Sequence, residues 1–167
     1  MKIPIFVSCP TALSLEQEAS RRIILQELDR YSLEERRLGF SDYPTELPLR
    51  EVLVLARHCA GGIIIGFEQL QVAAGVWKRG TDKERSAGAA FAVPTPWNHL
   101  EAGILFALQL PLLIFKENGI EGGVFDHGVT DAFVHPIPRS DIGDSDKRAL
   151  QSVFMKWQAR VREYYYR

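Results

Sequence analysis

A chain of 167 residues, 46% hydrophobic, 25% charged and 10% aromatic, falls in the globular range, which excludes a disordered or fibrous protein; one domain over residues 1–167, able to bury a two-sided sheet, is expected. The net charge of −1 and pI near 6.4 supply no field for holding a polyanion, so nucleic acid is not an expected partner. Cys9 and Cys59 lie far apart with no metal-ligand spacing, and no apolar run suits a signal-peptide core or a bilayer span; a cytoplasmic location without membrane contact is expected.

Ile3 to Ser8 is an apolar, β-branched run ending at Cys9-Pro10-Thr11, the pattern of a buried parallel strand entering a loop. Ser14 followed by Gln17 has the capping-box spacing, and Leu15, Ala19, Ile23 and Leu28 recur on roughly one face, which predicts a helix to about Tyr31. Arg37 to Phe40 reads as a weak second strand stopped by the turn formers Ser41-Asp42-Tyr43-Pro44, and Leu49 to His58 as a second helix. Gly61-Gly62 then opens the uninterrupted apolar run Ile63 to Phe67, a central strand. From Glu68 to Pro96 the pattern loosens: Lys78 to Arg85 reads as a solvated loop, and a connection this long is of the kind that covers a site.

Pro94, Thr95 and Pro96 precede a helix from about Trp97 to Gln109, followed by a buried strand at Leu110 to Phe115 and a short one at Phe133 to Ile137. Behind Asp144-Ser145, the residues Leu150, Val153, Phe154, Trp157, Val161 and Tyr164 keep helical spacing, so an amphipathic helix closes the chain. This alternation predicts the α/β class with a doubly wound parallel sheet.

Ligands of such sheets bind beyond the carboxyl ends of the strands, which directs attention to the segments after Ser8, Phe40, Phe67 and Phe115. Neither G-x-G-x-x-G nor G-x-x-x-x-G-K-[ST] follows the first strand, so dinucleotide hydride transfer and P-loop phosphoryl transfer lose their usual signature. The informative stretch is Thr95 to Gly103. Trp97 and Glu101 share a helical face at i, i+4, an indole beside a carboxylate, and Gly103 sits inside a helix where glycine costs about 1 kcal/mol, which predicts a close approach to the backbone there. A partly desolvated carboxylate in that position suits attack on, or electrostatic support of, an oxocarbenium-like ribose carbon.

The W-x-x-x-E spacing of Trp97 and Glu101, with Thr95 where serine is common, and the opening Phe6-Val7-Ser8 resemble TIR domains. The E-x-G of Glu101 and Gly103, running on to Leu110-Pro111-Leu112-Leu113, is similar to the nucleoside 2-deoxyribosyltransferases as well. Both families are flavodoxin-like, and in both a glutamate at this place serves cleavage of a sugar–base bond. The chain departs from the TIR pattern at Asp42-Tyr43-Pro44-Thr45, which lacks the glycine usual beside the proline, and in the insertion after Phe67. It departs from the deoxyribosyltransferases in its tryptophan and in having only Glu68 straight after the central strand, which favours the TIR side.

The TIR resemblance implies a flavodoxin-like sheet, NAD as substrate and no separate cofactor, hydrolysis or cyclisation of the ADP-ribosyl group, and often bacterial defence against phage. Carried over residue by residue, it implies Glu101 as the catalytic group, Trp97 flanking sugar or base, and Ser8, Cys9 and Pro10 as the pocket floor. Phe40, Asp42, Tyr43 and Phe67 follow as loop contacts. A homo-oligomer or an activating partner protein is the implied route to competence. Two other functions stay open: a nucleoside 2-deoxyribosyltransferase or nucleotide N-glycosidase, and a non-catalytic TIR-like module that binds a nucleotide or a protein.

Plainer roles exist for the same residues. Glu101 also suits a solvated carboxylate near a helix start, Trp97 a packing residue, and Gly103 close helix-to-sheet packing. Cys9 reads as an inert buried thiol, and His58, His99, His127 and His135 show no metal-ligand pattern, so no metal is expected. His58 suits a helix end and His99 a surface role away from Trp97. Gly122 to Gly128 suits equally a loop closing over a ligand and an ordinary packed turn, while Trp157 and Tyr164 to Tyr166 read as helix-face packing.

Overall fold

Three segments of the chain, Ile3–Ser8 (β1), Gly62–Gly66 (β3) and Leu112–Lys116 (β8), are apolar enough to be buried on both faces, and they lie side by side as the parallel centre of a five-stranded sheet. The sheet is seen in a computed structural model that describes residues 2–38 and 47–167. Leu33–Arg36 (β2) and Val134–Pro136 (β9) form the edges, giving the order β2-β1-β3-β8-β9 with every pairing parallel. Val7 stands beside Ile63, and Ile64 beside Ile114.

Strand side chains alternate between faces, so the sheet has two cores. Ile5, Val7, Ile63, Ile65 and Phe115 point to one face and meet Ile24 and Leu28 of Leu15–Arg30 (α1) and Phe154, Trp157 and Val161 of Asp144–Tyr165 (α4). Phe6, Ile64, Leu112 and Ile114 point to the other and meet Val52, Leu55 and Ala56 of Pro48–Arg57 (α2) and Ala102 and Leu105 of Pro96–Ala107 (α3). Helices on both faces of a parallel sheet in this order are the flavodoxin-like doubly wound arrangement expected from the alternation of elements.

The Ser14–Gln17 capping box forms as predicted: the Gln17 backbone N–H donates to Ser14 Oγ at 3.2 Å, and the Ser14 N–H donates to Gln17 Oε1 at 3.0 Å. The buried face of α1 carries Ile24 and Leu28, while Leu15 is 91% exposed. At α3, Thr95 caps the first turn and Pro96 holds its first position; the Leu110 N–H to Leu105 carbonyl bond and the left-handed Gln109, φ 59°, end it in a Schellman turn.

The second strand differs from expectation. It runs over Leu33–Arg36 and not over 37–40, because left-handed Ser32, φ 58°, turns the chain straight from α1 into the sheet. Only Leu33 of this edge strand is buried among charged residues, so it has no apolar pattern to read. The loose stretch after β3 folds as two small antiparallel pairs: Leu70–Val72 (β4) with Phe91–Val93 (β7), and Val76–Trp77 (β5) with Arg85–Ser86 (β6). The segment expected to be a solvated loop is the exposed tip between β5 and β6, turning at Lys78 and Gly80, with Arg85 already in β6.

In α4, Trp157 Nε1 donates to the Pro111 carbonyl at 3.0 Å, Tyr165 packs against the core, and Tyr166 is exposed. Gly123–Phe125 forms a 3-10 turn whose Phe125 is fully buried against Gly66, which decides for the packed-turn reading of that loop. Among the described residues no helix is long and apolar enough to cross a membrane.

Candidate active site

A cavity of about 300 Å³ opens beyond the carboxyl end of β1, on the side of the sheet covered by α2 and α3. Its wall includes Cys9, Pro10 and Thr11 from the loop after β1, Arg37 and Leu38 after β2, Gln69 after β3, and Trp97 and Glu101 from α3. The expected indole and carboxylate therefore do reach one space from adjacent turns of one helix.

Glu101 is half-buried, and burial pushes its carboxyl up to about 7, against the opposing effects of a hydrogen bond with the Ser8 hydroxyl and of the Arg37 charge. A group balanced in this way is present in both ionisation states near neutral pH, which suits proton transfer and charge stabilisation alike. The Cys9 thiol is pushed up to about 11, chiefly by burial, with the Arg37 and Arg21 charges pulling the other way. It stays protonated at neutral pH and is no thiolate nucleophile.

The sequence-predicted residues divide. Cys9, Pro10, Trp97 and Glu101 line the cavity. Ser8 does not line it; it is 1% exposed and lies one layer behind, its hydroxyl accepting from the Asn98 amide at 2.8 Å. Phe67 is not a ligand contact: it continues the Ile63 and Ile65 face of the sheet, fully buried in the core beneath α1 and α4, because period-two alternation turns it away from the cavity. Phe40, Asp42 and Tyr43 lie outside the described residues. The close approach expected at Gly103 is absent, since a Cβ there would meet nothing described within 4 Å and the residue faces outward.

Two site residues were not singled out from the sequence. Arg37 is 6% exposed, and its Nη2 donates to the Cys9 carbonyl at 3.1 Å and the Pro10 carbonyl at 2.7 Å, holding the loop after β1 in place. Asn98 is fully buried and donates to Ser8 Oγ at 2.8 Å. Nothing in Glu35-Arg36-Arg37 marks the last as the buried one, whereas Asn98, one residue beyond Trp97 in a nearly uncharged helix, had a signal in its polarity.

His99 packs edge-on against Phe125 with ring centres 5.4 Å apart, half-buried and so held below its ordinary value; it is a packing residue more than a surface one. His58 caps the end of α2, as a helix-end histidine should. Among the described residues no group of three or more His, Cys, Asp or Glu is placed to hold a metal.

A wider groove of about 820 Å³ lies at the ends of β8 and β9 beside the start of α1. In its wall Gln17 donates to Glu117 at 3.0 Å and Arg139 pairs with Asp141, while Lys116 donates to the Ile120 carbonyl at 2.9 Å. The smaller cavity is the candidate site, because a perturbed carboxyl stands in its wall.

Fold and cavity together define a flavodoxin-like α/β protein with a ligand-sized space around a half-ionised glutamate at the carboxyl end of its sheet. No protein-family model, characterised protein or solved structure matches the chain.

Proposed function

We propose that this chain is an NAD-cleaving N-glycosidase of TIR type, a glycohydrolase or cyclase in which Glu101 stabilises or captures the ribosyl carbon as nicotinamide leaves. One observation carries the reading: among the described residues lining the cavity, Glu101 is the single carboxyl, and it faces an indole across one helical turn. Hydrolysis of an O-glycoside needs two carboxyls, one to protonate the leaving oxygen and one to act at the sugar carbon. The nicotinamide of NAD is already cationic at the ring nitrogen and departs as a neutral base, so one carboxylate suffices. A deoxynucleoside base is neutral before cleavage and calls for an acid as well.

On this reading the ionised form of Glu101 faces the developing positive charge at the ribose carbon, where partial burial strengthens the attraction. It forms either an ion pair with the oxocarbenium-like centre or an ester bond to it; water then attacks to give ADP-ribose, or an adenine nitrogen attacks to give the cyclic product. Trp97 offers a flat face to the base or the sugar. The cavity is at the lower end of small-molecule sites, sized for one nucleoside half. Assembly with a second copy or an activating partner completes the site for the other half, in the reducing cytoplasm where Cys9 and Cys59 remain thiols.

The test is incubation of purified protein with NAD and, separately, with deoxynucleosides, following the released base by chromatography, in the parent and in Glu101→Gln at matched folding. The expected result is nicotinamide release that falls by about 10³-fold in the variant, as for loss of a principal electrostatic stabiliser. Release from deoxynucleosides alone favours a deoxyribosyltransferase. Binding of NAD without turnover, even at high protein concentration and insensitive to the substitution, leaves a nucleotide-binding module.

A further inference from the structure

Gly103 is the residue of α3 that the single chain does not explain. It lies in the helical body and is not among the glycines with a left-handed backbone, so no local conformation requires it. A Cβ there would meet no described atom within 4 Å, so no packing within the chain requires it either. Glycine inside a helix is destabilising relative to alanine, and nothing in the monomer offsets that. The surface around it is apolar. The exposed residues of α3 are Pro96, Trp97, Leu100, Gly103, Phe106 and Ala107, with Leu100 48% and Phe106 49% exposed, and none of them is charged. Glu101, the one Asp, Glu, Lys or Arg of the helix, is turned to the cavity, and His99 packs on Phe125.

Scattered apolar side chains are ordinary on a surface, but a helix face made of nothing else marks a contact. The other helices do not share this character: α1 exposes Arg22 and Asp29, α2 Arg57, and α4 Lys156 and Arg160. We propose that the outer face of α3 is an interface with a second copy of this chain, the two α3 helices crossing at Gly103. The partner surface has to be uncharged, since a charge brought there would be desolvated without a counter-ion, and α3 is the helix of this chain that offers such a surface. Its relief is also self-complementary. Gly103 makes a notch, with Leu100 one turn before it and Phe106 one turn after. In an antiparallel crossing Leu100 of each copy lies against Phe106 of the other, and the missing side chains at Gly103 let the helix axes come close. The positive end of each helix then lies beside the negative end of the other. The contact is isologous and closes after two copies. One face of a twelve-residue helix is small for a permanent interface, so the dimer is transient and populated by concentration.

Trp97 and Glu101 lie on the same helix, so the other copy is brought beside the lip of the cavity. This names the second copy invoked for the glycosidase, and its bearing on catalysis rests on that reading; the contact itself is testable without substrate. Sedimentation equilibrium of the full chain, from micromolar to millimolar concentration, is run on the parent, Gly103→Leu, Leu100→Lys and Met155→Lys, the last on the exposed side of α4. The parent is expected to pass from monomer to dimer. Both α3 substitutions should raise the dissociation constant by about a hundredfold or more, Gly103→Leu by filling the notch and Leu100→Lys by placing an unpaired charge in the contact. Met155→Lys should leave it unchanged. Leucine favours a helix over glycine, so the Gly103→Leu monomer should melt no lower than the parent monomer, which separates a lost contact from a damaged fold.

A parent that stays monomeric throughout overturns the proposal, and so does a dimer that survives both α3 substitutions. Should a variant fail to fold, the parent decides alone by NMR. Its Leu100 methyl and Phe106 ring resonances are expected to move with concentration while the Met155 methyl stays, and α3 resonances indifferent to concentration overturn the proposal equally. A dimer through α3 in a protein that releases no nicotinamide removes the glycosidase reading and leaves the interface standing; nicotinamide release by a monomer does the reverse.

Discussion

Trp97 and Glu101 stand one helical turn apart on α3, and both face the cavity beyond the end of β1 although Trp97 is 41% exposed and Glu101 half-buried. The indole forms the lip and the carboxyl lies further in, an order that suits a flat ring stacking at the entrance with its glycosidic carbon reaching inward. Trp97→Ala should therefore act on substrate more than on the fold. Stacking a base on an aromatic ring contributes about 1–3 kcal/mol, so kcat/KM for NAD is expected to fall roughly tenfold or more. The unfolding free energy should drop by no more than about 2 kcal/mol. A variant that unfolds outright, or one with unaltered kinetics, would show that Trp97 is only a packing residue.

The ionisation of Glu101 sets the direction of the pH profile. If the carboxylate is the form that meets the ribosyl cation, kcat/KM rises with pH through a midpoint near 7 and levels off above it. Activity that instead declines through 7 would mean that Glu101 works as a proton donor, and the nicotinamide argument would fail, since that leaving group requires no proton. Steady-state rates from pH 5 to 9 on folded protein distinguish these cases.

Arg37 joins the loop after β1 to the cavity electrostatics. Its guanidinium donates to the carbonyls of Cys9 and Pro10, and its charge favours the ionised form of Glu101. Arg37→Met keeps much of the volume and removes the donors and the charge. Buried acceptors left unpaired cost about 1–3 kcal/mol each, so a loss of about 2–4 kcal/mol in urea unfolding is expected. The activity midpoint should move above 7 in the same variant. Stability within about 0.5 kcal/mol of the parent, the usual range for surface substitutions, would remove Arg37 from this role.

Cys9 lines the cavity, yet burial holds its thiol at about 11 against an ordinary 9.0. The thiolate fraction at pH 8 is then roughly a hundredfold below that of a free cysteine, and alkylation of the native protein should slow in proportion. Cys9→Ser should leave nicotinamide release within a few-fold of the parent. Rapid alkylation at Cys9 together with loss of activity in Cys9→Ser would reopen thiol catalysis.

What could be read in advance follows from how strongly each element is determined locally. β1, β3 and β8 were legible because strands buried on both faces are apolar throughout, and α1 because Ser14 and Gln17 announce its start. β2 was displaced in the reading because an edge strand carrying Glu34, Glu35 and Arg36 owes its place to pairing with β1. Within the site, Trp97 and Glu101 are legible from their i, i+4 spacing together with the W-x-x-x-E resemblance. Arg37 was not, since its burial depends on carbonyls of a loop 27 and 28 residues away. Phe67, a loop contact by the TIR resemblance, belongs instead to the opposite core, because strand alternation turns its ring away from the cavity.

The raised value at Glu101 has a consequence for stability that needs no substrate. Its carboxyl titrates at 4.5 when unperturbed and near 7 in the folded protein, so between these values the native state binds more protons than the unfolded state. Stability from this group is complete below pH 4.5 and declines as pH rises through 7. The full decline is up to about 3 kcal/mol at 1.36 kcal/mol per unit, with the partial exposure of Glu101 reducing it. Glu101→Gln has no proton to lose and should resist urea better than the parent at pH 8, with the advantage shrinking towards pH 5. Parallel stability curves for the two proteins across that range would mean that Glu101 titrates as an ordinary surface carboxylate. The cavity would then lack the perturbed carboxyl on which its proposal as an active site depends.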